Sequence, residues 1–146
     1  MSGETEFRKW MVKNANSLGW MIQSIETSTG SGVPDIFLCN YGWNAWAELK
    51  STNSNKVFMR ISQFRWFIRY VRRGGIGLLI IKRLKERRID VYKMLDLEIY
   101  SDAKHCELKG NDIYFPDFTQ PAFSYKLGTG ASTFFNRLLR LIQTGK

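Results

Sequence analysis

Pro34-Asp35-Ile36-Phe37-Leu38-Cys39-Asn40, then Tyr41-Gly42, then Trp43-Asn44-Ala45-Trp46-Ala47-Glu48-Leu49-Lys50: two apolar runs flank a dipeptide suited to a tight turn. They read as the antiparallel strands of a hairpin. With Tyr41–Gly42 as a two-residue turn, Asn40 pairs with Trp43, Phe37 with Trp46, and Asp35 with Glu48. Asp35 then lies across from Glu48 within the roughly 5 Å of a cross-strand pair. Lys50, two residues beyond Glu48, points to the same face. The opposite face receives Ile36, Leu38, Ala45, Ala47 and Leu49, a coherent core set. Two adjacent carboxylates repel one another unless a cation lies between them, and their oxygens suit a hard divalent ion.

Working outward, Glu4–Leu18 has Phe7, Trp10, Met11 and Leu18 near one helical face and stops at Gly19. Trp20–Glu26 reads as a strand, followed by a Ser/Thr/Gly loop over Thr27–Gly32. After the hairpin, Thr52–Lys56 reads as a polar loop. Ser62 is then placed to cap a helix with Phe64, Phe67, Ile68 and Val71 on one face. Gly74–Gly75 ends that helix. Ile76–Lys82 is a near-continuous apolar strand, and Arg88–Tyr92 a further one. Helix, three strands, helix, strand predicts an α/β domain with a central mixed sheet flanked by helices. No internal repeat or low-complexity linker interrupts it.

The chain has 146 residues, 44% hydrophobic and 24% charged, which fits one globular domain. Its 22 Lys+Arg against 13 Asp+Glu leave a net charge of +9. Nine basic residues and one acidic residue lie between Arg65 and Arg88, so that segment carries +8 of the +9. Such a one-sided stripe favours an anionic partner, and Arg72, Arg73, Lys82, Arg83, Lys85, Arg87 and Arg88 are the expected phosphate contacts. No apolar run is long enough to span a bilayer, and Met1–Trp10 lacks a signal-peptide core. Cys39 and Cys106 are too few for a disulfide scaffold or a Cys-based zinc site. The expectation is a soluble, intracellular, single-domain binder of something negative.

Gly32-Val33-Pro34-Asp35 followed by Glu48-Leu49-Lys50 resembles the motif of the PD-(D/E)XK (restriction-endonuclease-like) nuclease superfamily, and the likeness spans Glu4 to Lys82. Leu18-Gly19-Trp20, the Ser/Gly loop and Gly74-Gly75 resemble the virus-type VRR-NUC branch. Ser31 to Thr52 is similar to archaeal-type Holliday-junction resolvases as well. The resemblance implies that Asp35 and Glu48 hold Mg²⁺, with Mn²⁺ as a substitute, and that Lys50 positions or activates the attacking water. It also implies a helical acid, Glu6 by motif position with Glu4 its rival, and a Gln near the metal, matched by Gln63.

The function this implies is a divalent-metal-dependent, structure-selective DNA endonuclease, a Holliday junction resolvase first among the possibilities. A flap or restriction-type nuclease, or a non-catalytic nucleic-acid binder of the same fold, are the alternatives. Resolving a four-way junction takes two cuts, so a homodimer is expected. The amphipathic helix Ser132–Gln143, with Phe134 and Phe135, is the favoured interface, although core packing accounts for that helix nearly as well. A cytoplasmic location is expected, that of a host cell if the chain is viral. The core is expected over residues 4–92 of one domain, 1–146, with 93–146 an extension outside the resemblance. His105-Cys106 with Glu98 and Asp102 reads as a surface loop, as does Pro116-Asp117, which no Glu-x-Lys follows. Trp20 and Trp66 read as core, and Trp43 and Trp46 flank the proposed site.

Overall fold

A computed structural model describes residues 3–25, 34–54, 57–97, 107–115 and 120–146. Helix α1 (Gly3–Ser17) buries Phe7, Met11 and Ala15, an i, i+4, i+8 stripe. Strands β1 (Met21–Ser24), β2 (Ile36–Asn40) and β3 (Trp43–Thr52) form an antiparallel meander. Tyr41 and Gly42 both have positive φ, 51° and 81°, as a type I′ turn demands. That turn sets the expected register: Asn40 faces Trp43 and Phe37 faces Trp46.

A short strand β4 (Val57–Arg60) leads directly into α2 (Ile61–Arg72), and β5 (Gly77–Arg83) returns parallel to β3. Strand β6 (Arg88–Lys93) pairs with β5, and a single turn, α3 (Met94–Leu97), follows. The remaining elements are β7 (Glu107–Lys109), β8 (Asp112–Phe115), β9 (Phe123–Lys126) and α4 (Ala131–Thr144). The main sheet runs β1-β2-β3-β5-β6-β9, and a second sheet runs β4-β8-β7. Helices α1 and α4 cover one face of the main sheet, over Ile36, Leu38, Ala45, Ala47 and Leu49. The other face carries α2, α3 and the small sheet, over Leu79, Ile81 and Tyr92. Gly77 lets α2 approach closely, since a Cβ there would lie 2.7 Å from the Phe67 ring.

Three local expectations change. Ser62 is not the helix cap: Arg60 holds that position with no side-chain bond, and the carbonyl of Asn111 accepts the Ile61 N–H at 2.9 Å instead. A neighbouring hairpin therefore supplies what a capping hydroxyl would have supplied. Val57–Arg60 is a strand with Val57 and Met59 buried and Phe58 and Arg60 exposed, a period-2 signal hidden beside the polar loop. Finally, Phe134, Phe135, Leu138, Leu141 and Ile142 of α4 are buried within the chain's own core, against Trp10 and Trp20. The apolar face of α4 is therefore not the expected dimer interface. No helix of the described residues is long and apolar enough to cross a membrane.

Candidate active site

The hairpin register that buries Ile36 and Ala47 carries Asp35 one step past the last strand pair. There its Oδ2 accepts the Leu49 N–H at 3.0 Å, and its backbone carbonyl accepts the Ile25 N–H at 2.8 Å. Arg8 of α1 comes within 4.0 Å of Oδ1. Asp35 is thus held by β3, by α1 and by the residue that follows β1. Glu48 sits in β3 between Ala47 and Leu49, so alternation turns it away from their core toward the α2 face. Trp46, two residues earlier on that face, meets Trp66 of α2 at 5.8 Å between ring centroids.

Glu48 is only 2% exposed. One of its oxygens, Oε2, lies 3.5 Å from Lys50 Nζ, while Oε1 is buried with no hydrogen-bond partner. Burial first, and the Asp35 charge second, raise its pKa from 4.5 to about 8, against the opposing pull of Lys50. An orphaned, buried carboxylate oxygen beside a second carboxylate needs either a proton or a cation. The donor set is all oxygen, which fits a hard divalent ion. Asp35 and Glu48 are therefore suited to hold one, with Lys50 alongside.

Gln63 is half-buried in the first turn of α2, three residues before Trp66, and so shares the helix flank that meets β3. Glu6 is exposed on α1, and Glu4 is half-buried one turn-fraction earlier. Among the described residues no three His, Cys, Asp or Glu side chains cluster as a metal site, so Glu6 does not join Asp35 and Glu48. The helical group that does reach Asp35 is Arg8, which has no distinguishing signal in the sequence.

The basic stripe, continuous in sequence, is divided in space. Arg72 and Arg73 are exposed at the end of α2, beside the start of β5. Lys85 and Arg87 are exposed in the β5–β6 turn, at the far end of a seven-residue strand, roughly 20 Å away. Lys82 is half-buried and pairs with Ser51, next to Lys50. Arg83 departs from expectation. It is 3% exposed, its Nε donates to Asp90 Oδ2 at 3.2 Å, and another nitrogen donates to the Ser54 carbonyl at 2.9 Å. A buried, paired guanidinium is not placed to meet a phosphate; its charge balances Asp90. Arg88 also donates to Asp90, at 2.9 Å, and the Ser124 hydroxyl does so at 2.6 Å. Arg88 and Asp90, two apart on one strand, share a face by simple alternation, a signal open to sequence reading. His105, Cys106, Glu98, Asp102 and Pro116-Asp117 lie outside the described residues.

No family model matches the chain, and no curated protein matches it. Among solved structures it is similar to Hjc of Archaeoglobus fulgidus, a Holliday junction resolvase from an archaeal hyperthermophile. The two share 13% identity with a TM-score of 0.53, over 79% of this chain and 84% of that one. The chain thus has the mixed α/β, restriction-endonuclease-like fold of that resolvase.

Proposed function

We propose that this chain is a divalent-metal-dependent, structure-selective DNA endonuclease whose preferred substrate is a four-way junction. The observation that carries the reading is the pairing of Asp35 with a buried, partnerless Glu48 oxygen beside Lys50, on a resolvase-like sheet. Binding alone gives no reason to set two carboxylates where a phosphate must come. Asp35 and Glu48 hold Mg²⁺ in this reading, and Mn²⁺ substitutes. Bound there, such an ion would lower the pKa of a water to make it nucleophilic at neutral pH and would stabilise charge on the leaving oxygen. Lys50 keeps a positive charge where the attacked phosphate gathers negative charge, and it orients the water. Gln63 lies on the flank able to help orient that water, whereas Glu6, exposed on α1 and apart from Asp35 and Glu48, is left as the motif's candidate helical acid without a place in this site. Arg72, Arg73, Lys82, Lys85, Arg87 and Arg88 contact phosphates, and the flanking Leu18-Gly19-Trp20 and Gly74-Gly75 favour the VRR-NUC branch.

A homodimer places two such sites on a two-fold symmetric junction. With the apolar face of α4 taken up by the chain's own core, the interface uses other residues, and light scattering should return about twice the 17.0 kDa chain mass. The test of substrate is a labelled panel of four-way junction, flap and linear duplex, with Mg²⁺ or with EDTA. Paired, Mg²⁺-dependent cuts in the junction support the proposal. Preferential flap cutting selects the flap alternative, and binding without cutting under any metal overturns the enzyme reading.

A further inference from the structure

Helix α2 has two working flanks, and the proposed catalytic site uses only one. On the other, Arg65, Arg69 and Arg72 recur at i, i+4 and i+7, all exposed, in a helix with no acidic residue. The small sheet faces this row. Met59, Ile113 and Leu108 pair in register across β4, β8 and β7. Met59 and Ile113 are buried against α2, whereas Leu108, on the edge strand, overhangs and is 68% exposed. Between the overhang and the arginine row lies a groove of about 740 Å³. It adjoins a second concavity of about 650 Å³, which adds Arg60, Asn111 and one acid, Asp112.

A groove with one cationic wall and one apolar wall matches the chemistry of an unpaired nucleic-acid strand. Guanidinium groups track the phosphates, and sugar or base faces lie on apolar surface. Its volume is that of a small-molecule site, which suits a few unpaired nucleotides and not the width of a duplex. We propose that the α2–β7/β8 groove holds an unpaired DNA strand extending from the duplex at the catalytic site. This deepens the nuclease reading and rests on it only for DNA as the substrate; a fully paired four-way junction offers no such strand, so occupancy of this groove favours the flap alternative or a junction with an opened arm.

The test measures binding in EDTA, by anisotropy, to a blunt duplex and to the same duplex with a ten-nucleotide single-stranded extension. The wild-type chain should bind the extended form roughly tenfold more tightly. Arg65→Ala with Arg69→Ala should bring the two within twofold, and should reduce the salt slope for the extended form by about 1.4, at roughly 0.7 per single-strand phosphate. Leu108→Ser, which leaves every charge in place, should remove part of the preference through the other wall. Melting temperatures near wild type confirm that both variants fold. Equal wild-type affinity for both DNAs, variants that weaken both equally, or poly-glutamate displacing the extended DNA as well as single-stranded DNA does, each overturns the proposal. Absence of Mg²⁺-dependent cutting with this contrast intact would count against the nuclease reading alone.

Discussion

Glu48→Gln should stabilise the metal-free protein at and above neutral pH, although it removes a residue central to the site. Burial and the Asp35 charge raise the Glu48 pKa from 4.5 to about 8, so the folded chain holds this proton more tightly than the unfolded one. Below about pH 4.5 both states are protonated, and the stabilisation from the tighter-held proton is fully present. As pH rises, the unfolded chain ionises first and folding stability falls, until the folded group ionises too near pH 8. At 1.36 kcal/mol per pH unit, the loss is about 3 kcal/mol at pH 7 and about 5 kcal/mol above pH 8. Gln cannot ionise, so the variant escapes that loss. The pull of Lys50 on the ionised carboxylate is already contained in the value of about 8, so it is not subtracted again. The gain above pH 8 is therefore about 5 kcal/mol, or about 15 °C in Tm for a chain of this length. Thermal melts of both proteins in EDTA from pH 4.5 to 9 measure it. The two curves should converge at the acid end and separate steadily toward pH 8.5. A difference that stays constant with pH, or a variant less stable at pH 8.5 than at pH 5 relative to wild type, refutes the buried-carboxyl argument.

Lys50→Ala should lose cleavage while keeping a Mg²⁺-induced rise in Tm, because the carboxylates stay in place; loss of both readouts would make Lys50 a structural residue. Wild-type affinity for duplex should fall with salt at a log–log slope of roughly −0.9 per phosphate neutralised. Neutralising Arg87 and Arg88 together should flatten that slope, and an unchanged slope would assign them to solvated surface. Asp90→Ala should destabilise by about 3–5 kcal/mol, because it strands the buried Arg83 guanidinium; a urea midpoint within experimental error of wild type would contradict that. Replacing Arg83 and Asp90 together with apolar residues should cost far less than either alone.

The hairpin was the legible part of this chain because its information is local. A two-residue turn fixes register, register fixes which side chains share a face, and the approach of Lys50 to Glu48 follows from that, with Asp35 one step past the last strand pair. Helices α1 and α2 were equally readable, since their buried stripes repeat at helical spacing. What escaped depends on contacts distant in sequence. Strand β4 finds its partner in β8, more than fifty residues away, and β9 completes the main sheet next to β6. Four residues of alternation carry little signal until a partner is known. The basic stripe shows the opposite failure. Its charges are adjacent in sequence, yet β5 separates them toward opposite ends of the sheet and buries Arg83 against Asp90. The α4 face was amphipathic as expected, but amphipathicity names a buried face without saying what covers it.

Asp35 and Glu48 are proposed above as a metal site for phosphodiester cleavage. That proposal is tested most directly by single-turnover cleavage of a labelled four-way junction with wild type, Asp35→Ala and Glu48→Ala, each in Mg²⁺ and in EDTA. Wild type should cut only with Mg²⁺. Both variants should bind the junction at least as tightly as wild type in EDTA, Asp35→Ala more so because it removes a charge that repels phosphate, and both should cut it at least a thousandfold more slowly, about 4 kcal/mol in barrier height. Full Mg²⁺-dependent cleavage by Asp35→Ala would place the chemistry elsewhere and contradict the account.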